Sequence, residues 1–333
     1  MKYINNCEKF IKLILTLIIF IIPLKIIMAK GEMVMVVKIG GIPWFNALEM
    51  GIENAAKDFG VKASMIGPTT ADPAEQVRHV EDLIAKGVSV IGVVPNDAEV
   101  LGPVFARAQA AGIKVVTHES PDQQNNDWNY ELIENDEFGY AHAKLFADAM
   151  NGRGEYVVYV GSLTVPLHNK WADYAIEYIK KNHPNMKLVT DRFGVAESVD
   201  DSFNTCLDVL KAYPNLKGFI TFGSQGPPGV ARCIQQTNNV GKIVLVGAGS
   251  PGQLEKIIKK GIALGGFIWN PIDAGYAFVS VGKLLMDGKQ IRNGMNIPGL
   301  GTVSVDSKTR NIKVVKLQPV NKETIDMLVD LGL

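Results

Sequence analysis

The chain has 333 residues, with 34 basic and 34 acidic side chains, and 47% of its residues are hydrophobic. This composition can build the cores of about two domains, and its charge balance gives no excess that would favour nucleic acid or an anionic membrane surface. Only Cys206 and Cys233 follow the first thirty residues, and no Cys-x-x-Cys or Cys/His spacing indicates a metal site.

Residues 1–29 have the order of charge and hydropathy found in a secretory signal peptide. Lys2, Lys9 and Lys12 give a basic start, the run at 11–22 is almost uncharged, and Ala29 closes the segment. A membrane anchor is the alternative, but Pro23 and Lys25 shorten the apolar stretch below the roughly 18 clean residues that a span needs. We therefore expect cleavage after Ala29 and a mature protein outside the cytoplasm, in the periplasm where the cell has one.

Cleavage after Ala29 would leave 304 residues with a net charge of −3, because the leader holds four Lys and one Glu. The two remaining cysteines lie in helix-like segments. They either pair in an oxidising compartment or stay as two buried free thiols, which fits at least as well.

The first half of the remaining chain alternates short β-branched runs with amphipathic stretches. Strands are predicted at residues 34–39, 63–66, 88–94 and 113–117. Helices are predicted at 45–59, from an Asp72-Pro73 start to Lys86, and in a segment that ends at 111. The continuous apolar run at 88–94 is typical of a parallel strand that is covered on both faces.

The second half continues the alternation. Helices are predicted at 138–150, 169–181, 202–212, 228–236, 253–260, 274–287 and 322–331. Strands are predicted at 155–160, 187–193, 219–222, 243–246 and 263–268, with a small hairpin at 303–305 and 312–317. This alternation implies parallel sheets built from right-handed βαβ units. Because the elements are too many for one sheet, the sequence predicts an α/β protein with two similar doubly wound lobes.

Open α/β sheets bind ligands beyond the carboxyl ends of their strands, so residues that follow a strand are candidates. After the first strand, Lys38 can donate hydrogen bonds, and Trp44 and Phe45 offer flat apolar faces, although one of this pair would also suit packing at the helix start. Asp97 follows the third strand, where it either caps the next helix or binds ligand. Glu119 follows the fourth strand, and a carboxylate there can accept two hydroxyl hydrogen bonds.

The second half offers candidates of the same mixed type. His168 opens a helix as a polar contact, and Trp171 is either a ligand platform or a core residue. Further polar candidates follow two later strands: Ser224, Gln225, Asn270 and Asp273. Polar groups from both halves, joined by aromatic rings, indicate recognition of a neutral polyhydroxyl compound.

The residue patterns give no indication of catalysis. A Gly-x-Gly-x-x-Gly match at 247–252 lies between a strand and a helix. Its late position, its proline and the lack of an acid at the end of the next strand favour a turn over a dinucleotide site. No nucleophile elbow, phosphate-binding P-loop or His-Glu-x-x-His sequence occurs. We therefore expect no catalytic residue, no metal and no cofactor.

Five motifs, in this order and spacing, carry a family resemblance: Lys38-Ile-Gly-Gly-Ile-Pro-Trp-Phe, Asn169-Lys170-Trp171, Phe193-Gly194, Leu264-Gly-Gly-Phe-Ile-Trp269 and Ile297-Pro-Gly-Leu-Gly301. The chain resembles the substrate-binding proteins of ABC sugar importers, in the ribose-binding-like class. Within that class it is most similar to the branch that binds autoinducer-2 and rhamnose.

The resemblance implies a type I periplasmic binding protein, with two lobes joined by three hinge strands that close on a ligand. It places the crossings near Asn135, Trp269 and Ile297. The expected lobes are an N-terminal lobe of residues 30–134 and 270–296, and a C-terminal lobe of residues 135–269 and 297–333.

The resemblance also implies roles for individual residues. Lys38 matches the lysine of the family, Trp44 and Phe45 match its aromatic pair, Glu119 stands where the family has an acid, and His168 falls in the binding loop of the second lobe.

Three departures from the family pattern bear on the ligand. The chain has Leu167-His168 where autoinducer-2 binders have Asp-Gln, and Phe222-Gly-Ser224 where they have Pro-x-Ala. Gly249 stands where ribose binders carry an acid. Because a hydrogen-bonding site rejects ligands that leave its polar groups unpaired, we expect a neutral monosaccharide or sugar alcohol other than autoinducer-2.

The sequence therefore predicts a monomeric, non-enzymatic solute-binding component that delivers its ligand to a membrane permease. An autoinducer-2-binding protein, or a sugar sensor for a membrane receptor, would use the same residues and stays an alternative. A two-lobed transcription regulator would need a helix-turn-helix where this chain has its apolar leader. An extracytoplasmic sugar-processing enzyme would need paired carboxylates, and Glu119 and Asp273 form no recognisable motif.

Overall fold

A computed structural model of the chain describes residues 29–333, so the expected leader lies outside the described residues except for Ala29. The described residues form two parallel sheets flanked by helices, together with two small antiparallel sheets. None of their helices combines the length and the apolar character needed to cross a bilayer.

The first sheet has seven strands: β1 (Ala29–Val36), β2 (Lys62–Ile66), β3 (Val88–Val93), β4 (Lys114–His118), β5 (Trp128–Glu131), β14 (Ser304–Asp306) and β15 (Asn311–Lys313). Their order across the sheet is β14-β15-β5-β4-β3-β1-β2, and only β14 runs antiparallel to its neighbour. Four helices flank this sheet: α1 (Pro43–Phe59), α2 (Pro73–Lys86), α3 (Ala98–Ala110) and α9 (Pro271–Met286).

The second sheet has five parallel strands: β6 (Arg153–Val160), β7 (Asn185–Leu188), β8 (Phe193–Gly194), β9 (Leu216–Phe222) and β10 (Val244–Gly247). Its order is β10-β9-β6-β7, and β8 pairs with the end of β6. Its helices are α4 (Asn135–Ala149), α5 (Pro166–Asn182), α6 (Val199–Ala212), α7 (Gly226–Gln236) and α8 (Pro251–Lys259), and α10 (Ile325–Asp330) packs on α8.

Both sheets have the same arrangement around their first strand. β1 lies between β2 and β3, and β6 lies between β7 and β9. The direction of strand addition therefore reverses beside β1 and beside β6, and ligands bind at such switch points in open α/β sheets. The predicted α/β architecture of two doubly wound lobes is confirmed.

The chain crosses between the two sheets three times. The first crossing follows β5, and the second lies between β11 (Gly266–Ile268) and α9. The third lies between β15 and β16 (Gln318–Val320), and β16 pairs antiparallel with β11.

The third crossing differs from the boundary expected near Ile297. After α9 the chain forms β12 (Asn296–Ile297) and β13 (Gly301–Thr302), and then the predicted hairpin of β14 and β15. β15 adds to the first sheet beside β5, so residues up to Lys313 stay with the first lobe. The physical reason is that β15 satisfies backbone groups of β5 that would otherwise form an open sheet edge.

Helix α2 has the bounds that its local signals predict. The Asp72 side chain accepts hydrogen bonds from the backbone N–H groups of Ala74 and Glu75, and Pro73 is the first helical residue. Gly87 ends the helix in the left-handed conformation, at φ 71°.

A disulfide joins Cys206 in α6 to Cys233 in α7, two helices that pack side by side in the second lobe. The Cα atoms of the two cysteines are 6.2 Å apart, and both side chains are fully buried. The pairing that the sequence left undecided is thus present in the structure.

Helices α1 and α9 approach so closely that two facing positions require glycine. A Cβ on Gly51 would lie 1.9 Å from the Ile272 carbonyl oxygen, and one on Gly275 would lie 1.9 Å from the Leu48 carbonyl oxygen. We expect Gly275→Ala to force the helices apart and to lower the free energy of unfolding by about 1–3 kcal/mol, the usual range for overpacking. Denaturant unfolding measures this change.

The matched control is Gly102→Ala in α3. The nearest atom to a Cβ at Gly102 is Gln124 Cβ at 3.5 Å, an ordinary contact. Because alanine favours a helix interior over glycine by about 1 kcal/mol, this variant should be as stable as the wild type or slightly more stable. Equal effects of the two substitutions would contradict the close approach of α1 and α9.

Candidate functional site

A cavity lies between the two lobes, at the carboxyl ends of their strands. Both lobes contribute side chains to its wall, which combines a polar cluster with several aromatic rings.

The polar cluster is centred on Lys38, which follows β1 and is only 3% exposed. Its Nζ donates to Glu119 Oε2 at 2.8 Å and lies 3.5 Å from Glu197 Oε1. It also lies 2.8 Å from His168 Nε2. Lys38 and Glu119 belong to the first lobe, whereas His168 and Glu197 belong to the second, so the cluster joins the lobes.

Burial and mutual charge set the protonation of this cluster. Burial alone would lower the pKa of Lys38, but the neighbouring carboxyls, Glu119 first, outweigh it and raise that pKa, so the ammonium is charged at neutral pH. Burial, helped by the Lys38 charge, holds the pKa of His168 well below its usual value. The His168 imidazole is therefore neutral.

The tautomer of His168 follows from its second ring nitrogen. The backbone N–H of Gly161 donates to His168 Nδ1 at 3.1 Å, which assigns the ring proton to Nε2. The Nε2–H group and the Lys38 ammonium then face each other as two donors. An oxygen atom that contacts both groups, such as a hydroxyl, would accept a hydrogen bond from each.

Buried amides fix the two loops that carry Lys38 and Glu119. The Asn96 side chain donates to the Lys38 carbonyl oxygen at 2.8 Å. Asn129 Oδ1 accepts from the N–H of Ser120, the residue after Glu119, at 3.1 Å. Glu119 itself has a left-handed backbone, at φ 60°, a conformation that is uncommon outside glycine and that concentrates at functional sites.

Aromatic rings form the apolar part of the wall. Trp269 meets Trp44 edge-on at 5.3 Å and Trp171 at 5.6 Å between ring centroids, and Phe138 lies 4.6 Å from Trp171. Trp171 also stacks on His168 at 5.3 Å. Such rings offer flat apolar surfaces to the C–H face of a sugar, beside donors and acceptors for its hydroxyls.

The comparison with protein families decides the family. The model of the periplasmic binding protein domain matches residues 33–290. The chain belongs to the periplasmic binding protein domain family. This confirms the family relationship that the sequence motifs predicted.

Three proteins that are similar to this chain each match most of its length. The D-allose-binding periplasmic protein of Escherichia coli strain K12 is 25% identical over 279 residues, which is 81% of this chain and 88% of that protein. LsrB from Clostridium saccharobutylicum in complex with AI-2 has a TM-score of 0.82 and 19% identity, over 89% of this chain and 99% of that one. An ABC transporter solute-binding protein from Clostridium phytofermentans with bound L-rhamnose has a TM-score of 0.80 and 18% identity, over 91% and 99%.

In this member of the periplasmic binding protein domain family, the structure brings together seven of the eleven candidate ligand-binding residues. These seven line the cavity: Lys38, Trp44, Phe45, Glu119, His168, Trp171 and Ser224. The rule that ligands bind beyond strand ends thus selected most of the polar wall.

Two other candidates are helix caps and do not line the cavity. Asp97 accepts hydrogen bonds from the N–H groups of Glu99 and Val100, at 2.9 and 3.3 Å. Asn270 accepts from the N–H of Ile272 at 2.8 Å. The position after a strand is often also the start of the next helix, where a short side chain satisfies free N–H groups.

Gln225 and Asp273 also lie outside the cavity. The Gln225 side chain exchanges hydrogen bonds with Gln253, at 3.2 and 3.3 Å. The Asp273 carboxylate pairs with Lys316 at 2.7 Å, beside the third crossing. Each side chain has a protein partner that is distant in sequence, and a single sequence gives no sign of such partners.

The sequence reasoning did not select six cavity residues. Three have large side chains, Phe138, Glu197 and Trp269, and three are small, Gly223, Ala248 and Gly249. Glu197 follows β8 and Trp269 follows β11, so the same strand-end rule would have found both. β8 is not predicted as a separate strand because it has only two residues, which the sequence pattern places at the end of a longer strand. Phe138 lies inside α4, where no local signal separates a cavity residue from a core residue.

The Gly-x-Gly-x-x-Gly loop at 247–252 serves structure and the cavity wall. Gly249 lines the cavity, and the N–H of Gly252 donates to the Leu333 carbonyl oxygen at 2.8 Å.

Across residues 29–333, no group of three or more His, Cys, Asp or Glu side chains is placed to hold a metal ion.

Proposed function

We propose that the protein is the solute-binding component of an ABC importer and binds a neutral monosaccharide or sugar alcohol between its lobes. The observation that carries this proposal is the buried cluster of Lys38, Glu119, His168 and Glu197, which both lobes supply and which aromatic rings enclose. A relative whose name records D-allose, and a structural neighbour with bound L-rhamnose, support the ligand class.

The cluster has the hydrogen-bonding groups that vicinal hydroxyls need. Glu119 accepts from a hydroxyl, while the Lys38 ammonium and the His168 Nε2–H donate to its oxygen. The ring faces of Trp44 and Trp171 cover the apolar side of the ligand. We infer no chemical step, because these groups bind hydroxyls and none of them is arranged as a nucleophile with its base.

Binding of this kind favours the closed arrangement of the lobes. A ligand that contacts Lys38 from one lobe and His168 from the other gains both contacts only when the cleft is shut. Two contacts at the cleft rim also join the lobes: Thr164 Oγ1 donates to the Asn96 carbonyl oxygen at 2.9 Å, and Lys170 pairs with exposed Asp122 at 3.0 Å.

The same proposal covers location and assembly. The protein acts as a monomer in the periplasm after its leader is cleaved, and its closed form docks on a membrane permease. We assign residues 30–134 and 270–313 to one lobe, and residues 135–269 and 318–333 to the other, in accordance with the strand pairing.

A thermal-shift screen of residues 30–333 tests the proposal. The panel contains pentoses, hexoses, 6-deoxyhexoses, tetritols, pentitols and autoinducer-2. A ligand at 100 times its dissociation constant adds about 2.7 kcal/mol of stability, so we expect one sugar or polyol to raise the melting temperature clearly. The bound sugar should be recovered unchanged after incubation.

The other outcomes of the screen are equally informative. If autoinducer-2 were the only member of the panel to stabilise the protein, the ligand would be autoinducer-2, as in LsrB, and the sugar would be excluded. Chemical conversion of the ligand would contradict a purely binding role. No stabilisation by any member of the panel would contradict the proposed function.

A further inference from the structure

Glu197 is a second buried carboxyl group in the cavity wall, beside the ion pair that Lys38 forms with Glu119. It lies in the loop between β8 and α6 and is 6% exposed. Its Oε1 atom has no hydrogen-bond partner among residues 29–333. A buried polar atom without a partner is costly, so this group must find its partner in another way.

Surrounding atoms hold the Glu197 carboxyl in place. A Cβ on Gly161 would lie 2.8 Å from Glu197 Oε1 and 2.6 Å from His168 Nδ1, so both side chains pack directly on the Gly161 backbone. His168 Nδ1 lies 3.8 Å from Glu197 Oε1 but accepts from Gly161, and it therefore has no proton to give to the carboxyl.

The charges that face Glu197 come from three other segments. Lys38 is the only cation among them, and it lies closer to Glu119 (2.8 Å) than to Glu197 (3.5 Å). His168 is neutral, as shown above. An ionised Glu197 would leave this buried cluster with one uncompensated negative charge, and burying such a charge costs far more free energy than burying a neutral acid.

We propose that Glu197 is protonated at neutral pH and is a specificity-determining residue that donates a hydrogen bond to an oxygen of the bound ligand. The role toward the ligand rests on the proposed function, whereas the proton is a property of the protein alone. A neutral cluster matches a neutral sugar, and an O–H donor at this position disfavours a ligand that presents an ammonium group.

The electrostatics of the site agree with this assignment. Burial raises the pKa of Glu197, the Lys38 charge opposes that rise, and the Glu119 charge adds to it, with the net result above the usual range. In general, a buried carboxylic acid that stays neutral can act as a hydrogen-bond donor in a binding site.

Infrared spectroscopy of the ligand-free protein at pH 7 tests the proton directly. We expect a carbonyl stretch of a protonated carboxylic acid in the wild type that is lost in Glu197→Gln. Glu131 is also buried, and burial raises its pKa to about 8, so it contributes a similar band to every variant and cancels in the difference spectrum. The matched control is Glu177→Gln on the exposed face of α5, which should leave the spectrum unchanged.

A second variant makes the assignment sharper. Glu119→Gln removes the nearer partner of Lys38, so Glu197 should then lose its proton and pair with the ammonium. The carbonyl band of protonated Glu197 should therefore also be absent from the spectrum of Glu119→Gln. An identical band in the wild type and in Glu197→Gln would overturn the proposal.

The pH dependence of stability gives an independent measurement. A carboxyl whose pKa is raised in the folded state contributes stability below its unfolded pKa and loses it as pH rises through the folded pKa. The melting temperature of Glu197→Gln relative to the wild type should therefore rise between pH 5 and pH 9. A difference that stays constant, or that falls, would contradict a raised pKa.

Ligand binding separates the two proposals. The ligand is a sugar that stabilises the wild type, and D-allose and L-rhamnose are the first to try. Glu197→Gln should still bind it, because the amide still donates a hydrogen bond. Glu197→Ala should bind it about tenfold or more weakly, because one hydrogen bond in a dry site is lost. D-Glucosamine should bind more weakly than the matching neutral sugar. If no sugar binds, the proposed function fails, while the infrared result still shows whether Glu197 carries a proton. If Glu197→Ala binds the sugar as tightly as the wild type, the specificity role of Glu197 is overturned.

Discussion

Replacement of Lys38 by methionine is expected to lower the free energy of unfolding by about 3–5 kcal/mol near neutral pH, the usual cost of breaking a buried ion pair. Methionine keeps most of the apolar volume of lysine but lacks the ammonium that lies 2.8 Å from Glu119 and 3.5 Å from Glu197. Two buried carboxyl groups would then share one cavity wall without a cation.

The loss should depend on pH, with a definite sign. In Lys38→Met the two carboxyls can stay buried at low cost only when they are protonated, so the variant loses stability as pH rises and deprotonation leaves negative charges inside. Denaturant unfolding at pH 5 and pH 8 measures this, and the deficit relative to the wild type should be larger at pH 8.

The control is Lys170→Met at the cleft rim. Lys170 is about two-fifths exposed and pairs with Asp122, which is almost fully exposed, so this variant should change stability by no more than about 1 kcal/mol at either pH. Equal losses in the two variants, or a loss in Lys38→Met that ignores pH, would contradict the buried pair.

The second large effect concerns the disulfide between Cys206 and Cys233. The bond closes a segment with a sequence separation of 27, and cross-links of this span typically stabilise a protein by about 2–4 kcal/mol through the unfolded chain. We expect the double variant Cys206→Ala, Cys233→Ala to lose stability in that range, measured by denaturant unfolding.

A reductant provides the matched comparison for the bond itself. Unfolding the wild type in reductant should lower its stability by a similar amount, whereas the double variant should be insensitive to reductant. A wild type whose stability is the same with and without reductant would mean that the two thiols are not joined in solution.

Local signals explain which parts of the fold the sequence predicts. The apolar run at 88–94 and the Asp72-Pro73 start correspond to β3 and α2 with almost the same bounds, because strand burial and helix capping depend on neighbouring residues. β5, at Trp128–Glu131, was not predicted. Its short mixed sequence becomes a strand by pairing with β4 and β15, and β15 lies about 180 residues away.

The candidate site shows the same limit. The strand-end rule selects Lys38 and Glu119 because both follow strands whose patterns are clear. It cannot separate a ligand contact from a helix cap at Asp97, where the same side chain suits both. The tautomer of His168 and the partners of Glu197 depend on differences of a few tenths of an ångström between contact distances, and no sequence pattern records them.

The most direct test of the central claim is a tryptophan fluorescence titration of the wild type with the sugar panel. Three of the four tryptophans, Trp44, Trp171 and Trp269, line the cavity, and Trp128 lies apart in β5. A sugar that binds between the lobes should change the emission saturably, with the same dissociation constant that calorimetry gives. A sugar that calorimetry shows to bind while the emission stays unchanged would contradict a site between the lobes.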